Sequence, residues 1–272
     1  REANNDRQTA MMKLDKVYDP AAMDELAERI ITLFQNTDAP ADNANTSEQP
    51  VFVLGMPRAG TSLVAQIIAS HPNAESRGEA ASISSIVPDF PEDTRDRGVG
   101  SAGDRILALL ASSALRVVDK TPFHFMHIGY ILQNLPNAHI ILCRRDNEDV
   151  ALSCYFQNFL GEHPWANDLS NIRRFMAFHD RLVDHWRSLY ADSILELHYE
   201  TLIADAETEC RRLINHIGLP WDDRCLSFHK ARGPVLTASN WQVRQPLYDH
   251  SVGRARHYDA YLEPIRPRLD RT

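Results

Sequence analysis

The stretch Val51-Phe52-Val53-Leu54-Gly55-Met56-Pro57-Arg58-Ala59-Gly60-Thr61-Ser62 constrains this chain more than any other part of it. An apolar run stops at a glycine, a short loop carries one cation and a second glycine, and two hydroxyl residues then open a helix. A short strand with no polar alternation is one covered on both faces, which is the habit of a parallel sheet flanked by helices. Strand, glycine loop and helix in that order place backbone N–H groups and the positive end of a helix dipole where an anion can be held. The plain alternative is a strand–helix turn with no ligand.

The rest of the chain repeats the alternation. Strands are expected at 51–55, 116–119, 139–143 and 193–198, and helices at 61–70, 79–87, near 106, 122–134, 147–159, 170–190 and 206–217. The expected fold is α/β, with a central parallel sheet in a three-layer arrangement and ligands gathered at the carboxyl ends of its strands. Residues 1–49 read as one amphipathic helix, near 20–34, followed by a loop rich in Asn, Asp, Thr, Ala and Pro. Met23, Leu26, Ile30, Leu33 and Phe34 recur at helical spacing behind Asp19-Pro20. The expected division is thus 1–49, a helix and linker, and 50–272, the main domain. The first residue is Arg1 rather than Met, which suggests a junction to an upstream region.

Charge and cysteine usage exclude several classes. With 29 Lys and Arg against 37 Asp and Glu, the net charge is −8, which disfavours coating nucleic acid or an anionic membrane. Any anion needs a local basic pocket. No apolar stretch approaches the roughly 20 residues that span a bilayer; the best candidate, 106–118, is broken by Ser112, Ser113 and Arg116. Cys143, Cys154, Cys210 and Cys225 have neither a CxxC pair nor metal-ligand spacing, so we expect a reducing cytoplasmic compartment, no disulfide framework and no metal.

The glycine spacing of the first loop matches a Walker loop, but Thr61 stands where the Walker lysine would meet a nucleotide phosphate. Pro57-Arg58-Ala59-Gly60-Thr61-Ser62 instead resembles the 5′-phosphosulfate loop of sulfotransferases, and in particular of tyrosylprotein sulfotransferases and bacterial enzymes associated with tetratricopeptide repeats, which carry Arg at this position. The resemblance implies a P-loop-like fold and 3′-phosphoadenosine 5′-phosphosulfate as co-substrate, with no metal. It also implies that Arg58, Ala59, Gly60, Thr61 and Ser62 hold the phosphosulfate. Farther along, Arg145 and Ser153 stand eight positions apart across a strand–helix turn, similar to the family's site for the 3′-phosphate. A bidentate guanidinium with a hydroxyl suits a dianion; a local salt bridge at a helix start is the alternative reading.

The same resemblance suggests who does the chemistry. Ser76-Arg77-Gly78-Glu79 falls where tyrosylprotein-type enzymes carry a basic Glu in a Gly-Glu pair, so Glu79 is the implied general base, against the alternative of a first-turn helix carboxylate. Asp119-Lys120-Thr121-Pro122 resembles the element whose Lys contacts the sulfuryl region, so Lys120 and Arg58 are the implied catalytic cations. His124 and His127 read as packing or surface residues and Asp119 as a helix cap. Tyr199, in His198-Tyr199-Glu200-Thr201-Leu202, matches the family's nucleotide-contacting Tyr. Ser239, Trp241, Arg244 and Arg254 resemble contacts from a late loop over the nucleotide, or else belong to a surface loop; Gln245 stands where the human-type enzymes place a Lys.

These elements follow one another from about Val51 to Tyr258 and imply sulfuryl transfer to an acceptor hydroxyl in a bacterial cytoplasm. The acceptor stays open between protein tyrosine, carbohydrate and small molecule, with 82–103 and 161–168 as the expected cleft lining. The competing readings are a P-loop kinase and a non-catalytic nucleotide-binding module.

Overall fold

The computed structural model describes residues 2–13, 17–35, 39–80, 82–87, 89–91, 101–157, 159, 163–230 and 251–266. Its centre is strand β1 (Pro50–Gly55), every residue of which is buried. Successive side chains of a strand face opposite ways, so burial of all six means that both faces of the sheet are covered. β2 (Ala74–Ser76) and β3 (Arg116–Asp119) lie on one side of β1, β4 (His139–Arg144) and β5 (Ile194–His198) on the other, in the order β2-β3-β1-β4-β5. All four pairings are parallel, with Val53 opposite Ile141 and Val51 opposite Val118. The α/β architecture expected from the sequence is therefore present, and all five strands end on one edge.

Gly55 closes β1 at φ 133°, and a Cβ there would sit 2.5 Å from the Cys143 carbonyl oxygen of β4. Only glycine lets the loop leave the sheet this close to its neighbour. The helices packed around the sheet include α3 (Thr61–Ala69) directly after that loop, α5 (Ala102–Leu109), α6 (Ile128–Asn134), α7 (Asn147–Phe156), the long α8 (Leu169–Tyr190), α9 (Tyr199–Ala204) and α10 (Ala206–His216). Residues 122–134 are a 3₁₀ helix, Pro122–His127, running into α6, rather than one α-helix.

The amino-terminal helix α2 (Pro20–Leu33) starts where the sequence indicated, with Asp19 accepting from the N–H groups of Ala21 and Ala22. It buries Ala27 and Ile30 in the same core as the sheet, and Phe34 meets Trp186 of α8 edge-on at 5.2 Å. Two elements depart from the sequence reading. α1 (Glu2–Lys13) has no apolar periodicity and is held by Asn4 donating to the Tyr155 carbonyl at 2.9 Å and by burial of Met11. β2 is three residues with no apolar run, recognisable only through its pairing to β3. The helix expected at 79–87 is accordingly shorter, α4 (Ser82–Ile86), and Glu79 stands in the loop after β2 rather than in a helix.

Gly129 of α6 lets this core close: a Cβ would fall 2.6 Å from Phe34 Cδ1 and 2.7 Å from Trp186 Cζ3, two rings with no room to retreat. Gly129→Ala should lower the unfolding free energy by about 1–3 kcal/mol through overpacking, read as a lower urea midpoint with an unchanged slope.

Candidate functional site

Each strand hands one expected site residue to the common edge: Arg58 follows β1, Glu79 follows β2, Lys120 follows β3, Arg145 follows β4 and Tyr199 follows β5. The strand order reverses direction beside β1, which is where open α/β sheets bind ligands.

The first loop runs into a helix N-terminus, whose N–H groups can hold an anion. Arg58 is the one non-glycine residue with positive φ among the described residues, at 71°, a conformation that costs on the order of 1 kcal/mol and is held only where surroundings impose it. Gly60 caps α3 in the left-handed region at φ 102°, contributing no side chain to the helix's first N–H groups. A Cβ on Gly60 would lie 3.0 Å from the Tyr199 ring, so this glycine also makes room for the residue after β5. Thr61 is buried at the helix start, and Ser62 is half-buried beside it.

Arg58 ties the two expected phosphate elements together. Its Nε donates to Ser153 Oγ at 2.9 Å, and its carbonyl accepts from Arg145 Nη1 at 3.3 Å. Arg145 is only 9% exposed. Its guanidinium lies over the Tyr199 ring, 4.5 Å from the centroid, and Nη2 donates to the Ser251 carbonyl. Arg145 Nε is buried with no hydrogen-bond partner among the described residues. A buried guanidinium with an unused donor, tied to the carbonyl of a loop that leads into a helix N-terminus, fits a phosphate group. Arg144 takes the other direction, its Nη1 2.9 Å from Asp180 Oδ1 of α8.

On the other side of β1, Lys120 Nζ and Glu79 Oε1 form an ion pair. The contact follows from the backbone: the Arg77 N–H donates to the Val118 carbonyl, and the Lys120 N–H to the Gly78 carbonyl at 2.8 Å, zipping the β2 loop to the end of β3. The lysine side chain is 3% exposed and the carboxylate 50%, so one partner is sealed and the other faces solvent. Burial pulls the Lys120 ammonium below the ordinary lysine range, opposed by the hydrogen bond and charge of Glu79.

Asp119 does not cap the following helix. Its fully buried carboxylate accepts from the Thr121 hydroxyl at 2.6 Å and meets His124 Nε2 at 3.1 Å, while the 3₁₀ helix has no side-chain cap. His127 is buried beside Phe90, and desolvation, with the nearby His124, pulls its pKa down to about 3. Arg254 is exposed, its guanidinium 5.8 Å from the Phe156 ring centroid, just beyond the turn that touches Arg145. Ser239, Trp241 and Arg244, like Gln245, lie outside the described residues. Sequence reasoning passed over Asp149, which pairs with Arg145 at 3.5 Å; the signal was its position one helical turn after that arginine.

Among the described residues no cluster of three or more His, Cys, Asp or Glu is placed to hold a metal, and no helix is long and apolar enough to cross a membrane.

A family model described as "Sulfotransferase family" matches residues 50–105 and 102–223. An uncharacterized protein of Aquifex aeolicus is 38% identical over 243 residues, 80% of this chain. Protein-tyrosine sulfotransferase A of Caenorhabditis elegans is 25% identical over 82% of the chain. The chain spans 32% and 64% of these two relatives' own lengths. A sulfotransferase domain from the Synechococcus PCC 7002 olefin synthase has the same fold, with a TM-score of 0.55 at 15% identity over 81% of this chain and 91% of that one.

The buried histidine beside the site gives a pH prediction. The folded state keeps His127 neutral down to about pH 3, whereas the unfolded chain protonates it near 6.5. Between those values the unfolded state binds more protons, so this residue's contribution to stability is complete above pH 6.5 and declines as pH falls. Urea unfolding of His127→Phe should show a shallower loss of stability than wild type between pH 6.5 and 4.5; identical slopes would contradict the assignment.

Proposed function

The chain belongs to the sulfotransferase family, and from that premise we propose that it moves a sulfuryl group from 3′-phosphoadenosine 5′-phosphosulfate to an acceptor hydroxyl by in-line transfer. The observation that carries the proposal is the convergence of two separate constellations on one sheet edge: Arg58 bonded to Ser153 with Arg145 on its carbonyl, and Lys120 paired with Glu79. The first suits a nucleotide's phosphates, the second suits proton and charge management at an acceptor.

When bound, the nucleotide supplies a sulfuryl group on a mixed anhydride with its 5′-phosphate. The N–H groups at the start of α3, with Arg58, Ala59, Gly60 and the hydroxyls of Thr61 and Ser62, hold that phosphosulfate. Arg145 and Ser153 take the 3′-phosphate, and the Tyr199 ring supports the Arg145 guanidinium above it while lining the nucleotide site. Arg254, and Ser239, Trp241 and Arg244 from the late segment, complete the nucleotide contacts. Lys120, sealed from water, places its charge where negative charge grows on the bridging oxygen. Glu79, half-exposed, accepts the proton of the incoming hydroxyl.

A sulfuryl group carries less negative charge than a phosphoryl group, so two side-chain cations and oriented amides suffice and the proposal requires no metal. The tyrosine-sulfotransferase relatives support a hydroxyl acceptor of the protein tyrosine, carbohydrate or small-molecule class. The four cysteines are free and buried, which suits a reducing, cytoplasmic setting in a bacterium.

Transfer of labelled sulfate from the sulfonucleotide to a panel of phenolic, sugar and alcohol acceptors, with products identified by mass spectrometry, tests the reading. Arg58→Ala should abolish transfer. Glu79→Gln should lower kcat by roughly 10²–10⁴ while nucleotide binding, measured separately, persists. Arg145→Ala should chiefly weaken nucleotide binding. Wild-type rates from a folded Arg58→Ala protein would defeat the proposal.

A further inference from the structure

Asp149 lies one turn beyond Arg145 on α7, with its side chain 0% exposed. A carboxylate buried beside a phosphate site is penalised by desolvation and by like-charge repulsion, and it persists only if its charge is fully engaged. Three donors engage it. Arg145 Nη2 stands 3.5 Å from Oδ2, the Gly253 N–H donates to Oδ2 at 2.7 Å, and the Ala255 N–H donates to Oδ1 at 2.8 Å.

Those two amides belong to a turn more than a hundred positions later in the chain. Gly253 adopts φ 69° as the N-cap of the 3₁₀ helix Arg254–Tyr261, and Ala255 is buried within it. The left-handed glycine turns the first N–H groups of that helix toward Asp149, while the Ser251 carbonyl accepts from Arg145 Nη2. One carboxylate therefore holds both the arginine and the turn. With its Cζ over the Tyr199 ring, the guanidinium is fixed on several sides while Nε stays without a partner among the described residues.

We propose that Asp149 is a positioning residue that orients Arg145 toward the 3′-phosphate and clamps the 251–255 turn against it, so that turn and phosphate site form as one unit. The inference rests on the sulfonucleotide reading above. Asp149 acts through Arg145 and does not touch the nucleotide. Its loss therefore removes discrimination for the 3′-phosphate in particular, whereas a merely structural role would weaken all nucleotides alike.

Titration calorimetry on the full chain, with 3′-phosphoadenosine 5′-phosphate and adenosine 5′-phosphate as the two probes, separates the cases. Wild type should prefer the 3′-phosphorylated probe, and Arg145→Ala should lose that preference. Asp149→Asn gives up its charge and sets an amide NH₂ against a backbone N–H donor. It should weaken binding of the 3′-phosphorylated probe roughly ten- to a hundred-fold and leave adenosine 5′-phosphate within about twofold. Ala255→Pro withdraws one amide from the carboxylate without touching its charge and should shift the same ratio in the same direction, which carries the test if Asp149→Asn fails to fold. Wild-type discrimination in both variants, with Arg145→Ala impaired, would overturn the role of Asp149 and leave the sulfonucleotide reading standing. Equal binding of both probes by wild type would overturn that reading and this inference with it.

Discussion

Parallel pairing of β1 with β3 on one side and β4 on the other is the constraint on which the rest of the molecule depends. Because all four pairings run the same way, every strand must end on one edge, and the loops that follow are brought together whatever their distance in sequence. The approach is tight at β1 and β4, where the Cys143 carbonyl occupies the space a side chain at residue 55 would need. That proximity puts the Arg58 loop against the start of α7, so that Ser153 receives Arg58 and Arg145 reaches the Arg58 carbonyl. The zipper between the 77–79 loop and the end of β3 does the same for Glu79 and Lys120.

The electrostatics follow from this geometry. An acidic chain of net charge −8 can present a cationic site only by concentrating cations and engaging their counter-charges. Arg144 and Arg145, adjacent in sequence, are sent opposite ways, one to Asp180 on α8 and the other into the cradle. The acidic residues close to the site are committed: Asp119 to Thr121 and His124, Asp149 to two backbone amides and Arg145. Glu79 differs in being half-exposed, which suits the proton-accepting role proposed for it.

The parts of this architecture that were legible in the sequence are those written in local pattern. The strand at Arg116–Asp119, the start of α2 behind Asp19-Pro20 and the glycine loop all announce themselves through apolar runs, a cap and spacing. Ala74–Ser76 carries no such pattern; it is a strand because β3 offers it a ladder, and with it Glu79 moves from a helix to a strand-end loop. α1 was hidden for the related reason that its helicity is supported by tertiary contacts of Asn4 and Met11 rather than by an amphipathic face. The spacing of Asp149 from Arg145 is legible but common to surface acids; what sets it apart is a pair of amides 104 and 106 positions away.

The strand-end cradle is proposed to hold a 3′-phosphorylated sulfonucleotide and not a nucleoside triphosphate with magnesium. Calorimetric titration of the full chain with 3′-phosphoadenosine 5′-phosphosulfate, set against ATP with Mg²⁺ under the same conditions, tests it most directly. Saturable binding of the sulfonucleotide is expected, with at least tenfold weaker binding of ATP–Mg²⁺, a difference of about 1.4 kcal/mol. Equal or tighter binding of ATP–Mg²⁺ would contradict it.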